Sequence, residues 1–239
     1  MKTEFYDSAN FKRKQARGKS SVNDNSTDRT SCQFISLSNF DKLNSEARMR
    51  NCIEQKASQG NYAVAIALLN QLIALRPDSA TDYNNRGLMY FRNNQITEAL
   101  ADLSQALQLD PKLDSAYNNR ANCYAARGEL DKAVADYELA LDLNPANLRA
   151  WINQGITFRE MGIYDLAIEN FDIASIIGNR LQERIYAERG RCYHLRGDWN
   201  CAVADYKQAL ELLKTKPQLA GYQYKVQTWL DSLFNHLVF

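Results

Sequence analysis

The chain has 239 residues, 45% hydrophobic and 24% charged, which is enough apolar material to bury a sizeable core. Its 29 basic and 28 acidic residues nearly cancel, so there is no overall field to draw in nucleic acid or an anionic membrane, and neither is expected as a partner. No stretch approaches the roughly 18 to 20 uninterrupted apolar residues of a membrane span, and no apolar run follows the basic N-terminus as a secretory signal requires; a soluble, cytoplasmic protein is expected.

Residues 1–45 show no period and are rich in Ser, Asn, Asp, Lys and Arg. That composition predicts a disordered or weakly ordered tail. Its basic run, Lys12, Arg13, Lys14, Arg17 and Lys19, reads first as a solvated segment and second as a contact for an acidic partner.

From residue 46 the chain repeats. Pro77, Pro111 and Pro145 lie 34 residues apart, a period that marks repeat architectures. With each proline at position 32, units run over 46–79, 80–113, 114–147, 148–182 (one residue longer) and 183–216. Small residues recur at position 8 (Gly87, Ala121, Gly155, Gly190) and alanine at position 20 (Ala65, Ala99, Ala133, Ala167, Ala202). Large residues fill position 4 (Tyr83, Tyr117, Trp151, Tyr186), position 11 (Tyr90, Tyr124, Phe158, Tyr193) and position 24 (Leu69, Leu103, Tyr137, Phe171, Tyr206). Positions 4, 8, 11 and again 20, 24, 27 share the spacing of one helical face. Each unit therefore reads as a leading and a trailing helix whose backbones meet over the small residues. A single pair cannot bury both of its faces, so the pairs must stack.

The turns agree. Gly60, Gly128, Gly162 and Gly197, with Asn94 in the second unit, fall at position 15, where a left-handed residue closes the leading helix. Thr97, Asp131, Asp165 and Asn200 at position 18 are expected to N-cap the trailing helix. The prolines stop it from running into the next unit.

These columns, most plainly Y-N-N-R-G-L-M-Y at 83–90, Y-N-N-R-A-N-C-Y at 117–124 and the A-L-x-L-D-P that follows, resemble the tetratricopeptide repeat family over about residues 46–216. The resemblance implies an all-α fold, a right-handed α-solenoid of stacked helix-turn-helix units. Two departures stand out: Ile53 and Lys56 replace the small residue and the aromatic in the degenerate first unit, and Asn179 replaces proline in the fourth. After Pro217, the stripe Leu219, Tyr222, Val226, Trp229, Leu230, Leu233 and Leu237 predicts a C-terminal capping helix over 217–239.

In this family the leading helices line a concave groove that holds a protein or peptide segment, which places positions 2, 5, 6, 9, 12 and 13 on that side. Six asparagines fall there: Asn84, Asn85, Asn118, Asn119, Asn122 and Asn153. Asparagine disfavours helix by up to roughly 0.7 kcal/mol against alanine, whereas a row of amides can pair with an extended backbone of any sequence. The plain alternative is inheritance from an ancestral unit, with water satisfying the amides. Arg149, Arg184 and Arg191 favour an acidic segment or a carboxylate, and Leu88, Ile152 and Ile156 offer apolar contact. The aromatics at position 4 are expected in the core. Some family members grip a chaperone's terminal carboxylate with two lysines, two asparagines and an arginine; here those positions hold Asn84, Leu88, Asn119, Arg149 and Asn153, a degenerate clamp that makes a chaperone cofactor the second reading.

No catalytic constellation is visible. Five cysteines without a CxxC spacing and only two histidines predict reduced thiols and neither metal nor cofactor. His194 has Cys192 and Cys201 nearby in sequence, but position 12 is expected to be exposed and Cys192 to point elsewhere. The expectation is a non-catalytic interaction adaptor, with the oligomeric state left open.

Overall fold

A computed structural model describes residues 39–236; the basic run at 12–19, most of the expected tail, Cys32 and the apolar end 237–239 lie outside them. Among the described residues there are eleven α-helices, one short 3-10 turn and no strand. The leading helices are α1 (Asn39–Ser58), α3 (Ala80–Arg92), α5 (Asp114–Ala126), α7 (Leu148–Glu160) and α9 (Gln182–Arg196), and the trailing ones α2 (Tyr62–Leu75), α4 (Ile96–Leu109), α6 (Leu130–Leu143), α8 (Tyr164–Ile177) and α10 (Trp199–Leu213). The turn Pro217–Leu219 and α11 (Ala220–His236) close the chain. The helices group into two compact units, divided between Cys123 and Tyr124.

In the first unit α1 packs on α2, α2 on α3 and α3 on α4. Helix α1 starts at Asn39, ahead of the expected start at Glu46, and Ser45 is buried. The proline phase sets the repeat, but no proline or glycine between Asn39 and Glu46 halts the helix. Ile53, large where other repeats are small, packs into a cluster with Leu69 and Leu72.

In the second unit α6 packs on α7, and each helix from α7 to α11 packs on the next. Helix α11 seals this unit with Val226, Leu230 and Leu233, packed with Tyr206, Ala209 and Leu213 of α10.

Sequence dictates this packing closely. Every alanine of positions 20 and 27, and every residue of position 24, is fully buried, and burying one of the larger of these side chains contributes about 1.5 to 3 kcal/mol. A Cβ on Gly87 would sit 2.8 Å from Leu103 Cγ, and one on Gly155 3.0 Å from Phe171 Cζ and 3.2 Å from the Ala167 carbonyl oxygen. Position 8 meets positions 20 and 24 of its own pair, as the spacing predicts.

The turn between paired helices uses position 15 as predicted: φ is +62° at Asn94 and +74° to +97° at Gly60, Gly128, Gly162 and Gly197. The expected cap at position 18 is corrected to position 16. There the backbone N–H of Gln95 donates to the Tyr90 carbonyl at 2.9 Å, closing α3, while its own carbonyl accepts from the Ala99 N–H at 3.0 Å, opening α4. The same double role falls to Asn61, Glu129, Ile163 and Asp198. One residue ends one helix and starts the next, so Thr97, Asp131, Asp165 and Asn200 already lie in the first turn. The carboxylates of Asp131 and Asp165 suit the positive end of the helix dipole there.

Candidate functional site

On α3 and α5 in the first unit, the asparagines do not form one open row. Asn84, Asn118 and Asn122 are buried, while Asn85, Leu88 and Asn119 keep part of their surface exposed. Their amides bond one another: Asn119 Nδ2 donates to Asn84 Oδ1 at 2.9 Å, Asn118 Nδ2 to Asn119 Oδ1 at 3.4 Å, and Asn84 Nδ2 to Asn85 Oδ1 at 3.5 Å. This chain ties neighbouring leading helices together. Asn84 at position 5 faces the neighbouring leading helix rather than solvent, which is why it is covered. Asn118 Oδ1 is buried without a hydrogen-bond partner.

On α7 and α9 in the second unit, Ile152 and Ile156 are 0% and 3% exposed, and so belong to the core instead of offering apolar contact. Asn153 is buried too. Arg149 is exposed and Arg184 half-exposed. Arg191 is already engaged: its guanidinium stacks 5.4 Å from the Trp229 ring, and Nη1 lies 3.3 Å from His194 Nδ1. His194, expected to be exposed, is held by Tyr206 Oη at 3.3 Å and by the Trp199 ring at 5.7 Å. Cys192 is buried, and burial pushes its thiol and that of Cys123 up to about 12. These thiols carry no thiolate to react near neutral pH.

Helix α11 does more than seal the last pair. Tyr222 Oη donates to Glu188 Oε1 at 3.2 Å, and Trp229 receives Arg191, so α11 occupies the leading-helix face of the fifth repeat. Beside them Arg159 Nη2 lies 3.6 Å from Glu188 Oε2 and 3.9 Å from Glu160 Oε1. Burial, with a smaller contribution from Glu188, raises the Glu160 carboxyl to about 7 against the opposing pull of Arg159.

A second recurring arrangement escaped the sequence reading. Arg86 at position 7 forks onto Asp102 at position 23 of its own repeat (2.6 and 2.7 Å), and Arg189 onto Asp205 (2.8 Å twice). The fourth repeat changes both partners: Asn170 Nδ2 donates to Gln154 Oε1 at 3.0 Å. The signal is an Arg or Gln sixteen residues before an Asp or Asn, visible once the repeats are aligned. It also corrects the place of the position 4 aromatics. They are half-buried and flank the arginine, with Arg86 5.4 Å from the Tyr83 ring and 5.8 Å from Tyr90. Arg189 lies 5.4 Å from Tyr186 and 6.0 Å from Tyr193.

Among the described residues no group of three or more His, Cys, Asp or Glu side chains could hold a metal ion, and no helix is long and apolar enough to cross a membrane.

Residues 56–121 and 115–147 match two sequence profiles of the tetratricopeptide repeat. No curated protein matches the chain. Among solved structures it is similar to MamA, at 24% identity over 69% of this chain and 95% of that one, with a TM-score of 0.59. A thermophilic TPR protein of Thermus thermophilus aligns at 18% identity over 77% of this chain and 99% of that one, with a TM-score of 0.67. A tetratricopeptide repeat protein of Parabacteroides merdae aligns at 20% identity over 80% of this chain and 74% of that one, with a TM-score of 0.63. At such identities the likeness concerns the fold. Residues 56–147 of the chain are tetratricopeptide repeats.

Proposed function

We propose that the chain is a non-catalytic interaction scaffold that holds a segment of another protein against its leading helices. The observation that supports this reading is the partly exposed patch of Asn85, Leu88 and Asn119 on α3 and α5, where amides flank an apolar side chain. An extended segment would pair its backbone with the outer amides and set a side chain on Leu88. In the second unit, taken by itself, Arg149 and Arg184 would favour an acidic segment. Asn84, Asn118 and Asn122 would support this patch from beneath, while in the second unit Asn153, Ile152 and Ile156 are buried and Arg191 is held by Trp229. A cytoplasmic setting belongs to this reading.

A chaperone cofactor is the less supported alternative. Of the positions that would form its carboxylate clamp, only Arg149 carries positive charge, and Asn84 and Asn153 are buried.

The test is a titration of a partner, once identified by crosslinking, against the wild type and Asn85→Glu. The substitution adds bulk and charge to a half-exposed helical position, so a loss of affinity at an unchanged thermal midpoint supports the patch. Unchanged affinity removes it from the binding surface.

A further inference from the structure

The fourth repeat breaks the family pattern where Asn179 replaces proline and one residue is inserted, and the turn there contains Leu181 at φ +62°. In the first and fifth repeats an acid at position 1 neutralises a base at the end of the same repeat: Arg76 lies 2.5 Å from Glu46 and Lys216 2.7 Å from Glu183. In the fourth repeat position 1 is Leu148, and the base at the repeat end, Arg180, has no acid to meet. Arg180 and Arg149 instead line one open cavity of about 410 Å³, walled by Asn144, Asn147, Leu148 and Leu181. Neither arginine has an ion pair or hydrogen bond among the described residues, whereas Arg50, Arg86, Arg159, Arg189 and Arg196 are all paired.

We infer that this cavity is a binding site for an oxyanion, a phosphoryl or carboxylate group. Two arginines line a space large enough for such a group, and a guanidinium is a planar fork of donors that matches its oxygens. No carboxylate lines the cavity to compete. The side chains of Asn144 and Asn147 are turned inward on their own loop, accepting from the Ala146 and Ala150 N–H groups at 3.2 Å each, so the arginines supply the recognition. Only the source of the anion, a partner's side chain or a free ion, rests on the scaffold reading.

The test is a titration of the full-length chain, with 15N-labelled arginine side chains, by inorganic phosphate. Two further arms use a short capped phosphoserine peptide and its glutamate counterpart. Saturable shifts of the Arg149 and Arg180 Nε–H signals are expected, with affinity at least about tenfold weaker in the R149Q/R180Q double variant. Competition by either peptide assigns the anion to a partner's side chain, and binding of phosphate alone assigns it to a free ion. Shifts no larger than those of the exposed Arg48 and Arg92 would mean adventitious ion contact only and overturn the site. That failure would leave the Asn85 patch untouched, because it lies in the other unit.

Discussion

Asn119 donates its side-chain amide to Asn84 Oδ1 at 2.9 Å across 35 residues of sequence, so an amide of the proposed patch also fastens one leading helix to another. The two roles separate by substitution. Asn119→Ala leaves a buried acceptor on Asn84 and should cost about 1 to 3 kcal/mol, against which the gain in helix propensity is at most about 0.7 kcal/mol. Asn85→Ala, at the accepting end of the chain, should change stability by under about 0.5 kcal/mol. Urea unfolding of the two single variants checks this, and equal losses would contradict the assignment.

Gly155 tests the packing of the fourth pair. With Phe171 Cζ 3.0 Å and the Ala167 oxygen 3.2 Å from where its Cβ would stand, Gly155→Leu should overpack α7 against α8 and cost about 1 to 3 kcal/mol. Thermal denaturation of the variant reads this directly. Unchanged stability would mean that the two helices separate freely.

The pair between positions 7 and 23 predicts a compensated exchange. Asp102→Ala strips Arg86 of both charge-assisted hydrogen bonds and should cost about 1.5 to 3 kcal/mol. In the fourth repeat, Gln154→Arg with Asn170→Asp installs the ion pair of the other repeats. The double change should lie within about 1 kcal/mol of the wild type, because desolvation offsets the Coulombic gain. Each single change there should be worse than the double, as a double-mutant cycle would record.

Glu160 gives the second unit a pH dependence of definite sign. Its carboxyl titrates at about 7 in the folded chain against an ordinary value of 4.5, so between those values the folded state holds the proton that the unfolded state has lost. Stability from this group is therefore fully present below about pH 4.5 and falls as pH rises through 7. Glu160→Gln should remove the fall and melt higher than the wild type at pH 8, with the difference shrinking toward pH 5. Parallel melting curves at the two pH values would contradict the burial of this acid.

The repeat itself was legible because it is written in residue size and backbone freedom. Alanine at positions 20 and 27 and a left-handed residue at position 15 each leave one local solution, and the helices follow. What was not legible depended on neighbours. Periodicity placed Ile152 on the groove side, but it cannot show that an adjacent helix covers position 5. The caps expected at position 18 failed because backbone groups of position 16 already serve both helices. Arg86 and Asp102 lie sixteen residues apart on different helices, and only the packing of those helices brings them within 2.7 Å. The sequence stripe of α11 announced a cap, but not that Tyr222 and Trp229 would reach Glu188 and Arg191.

The central claim, that the leading helices carry the binding surface, is tested most directly by site-specific photo-crosslinking in cells. A photoreactive amino acid replaces Asn85 on α3 in one variant and Leu75, 51% exposed at the end of α2, in another. The account predicts a discrete protein adduct from position 85 that is absent from position 75 and is competed away by excess wild-type chain. Adducts of equal yield from both positions, or from position 75 alone, would contradict it.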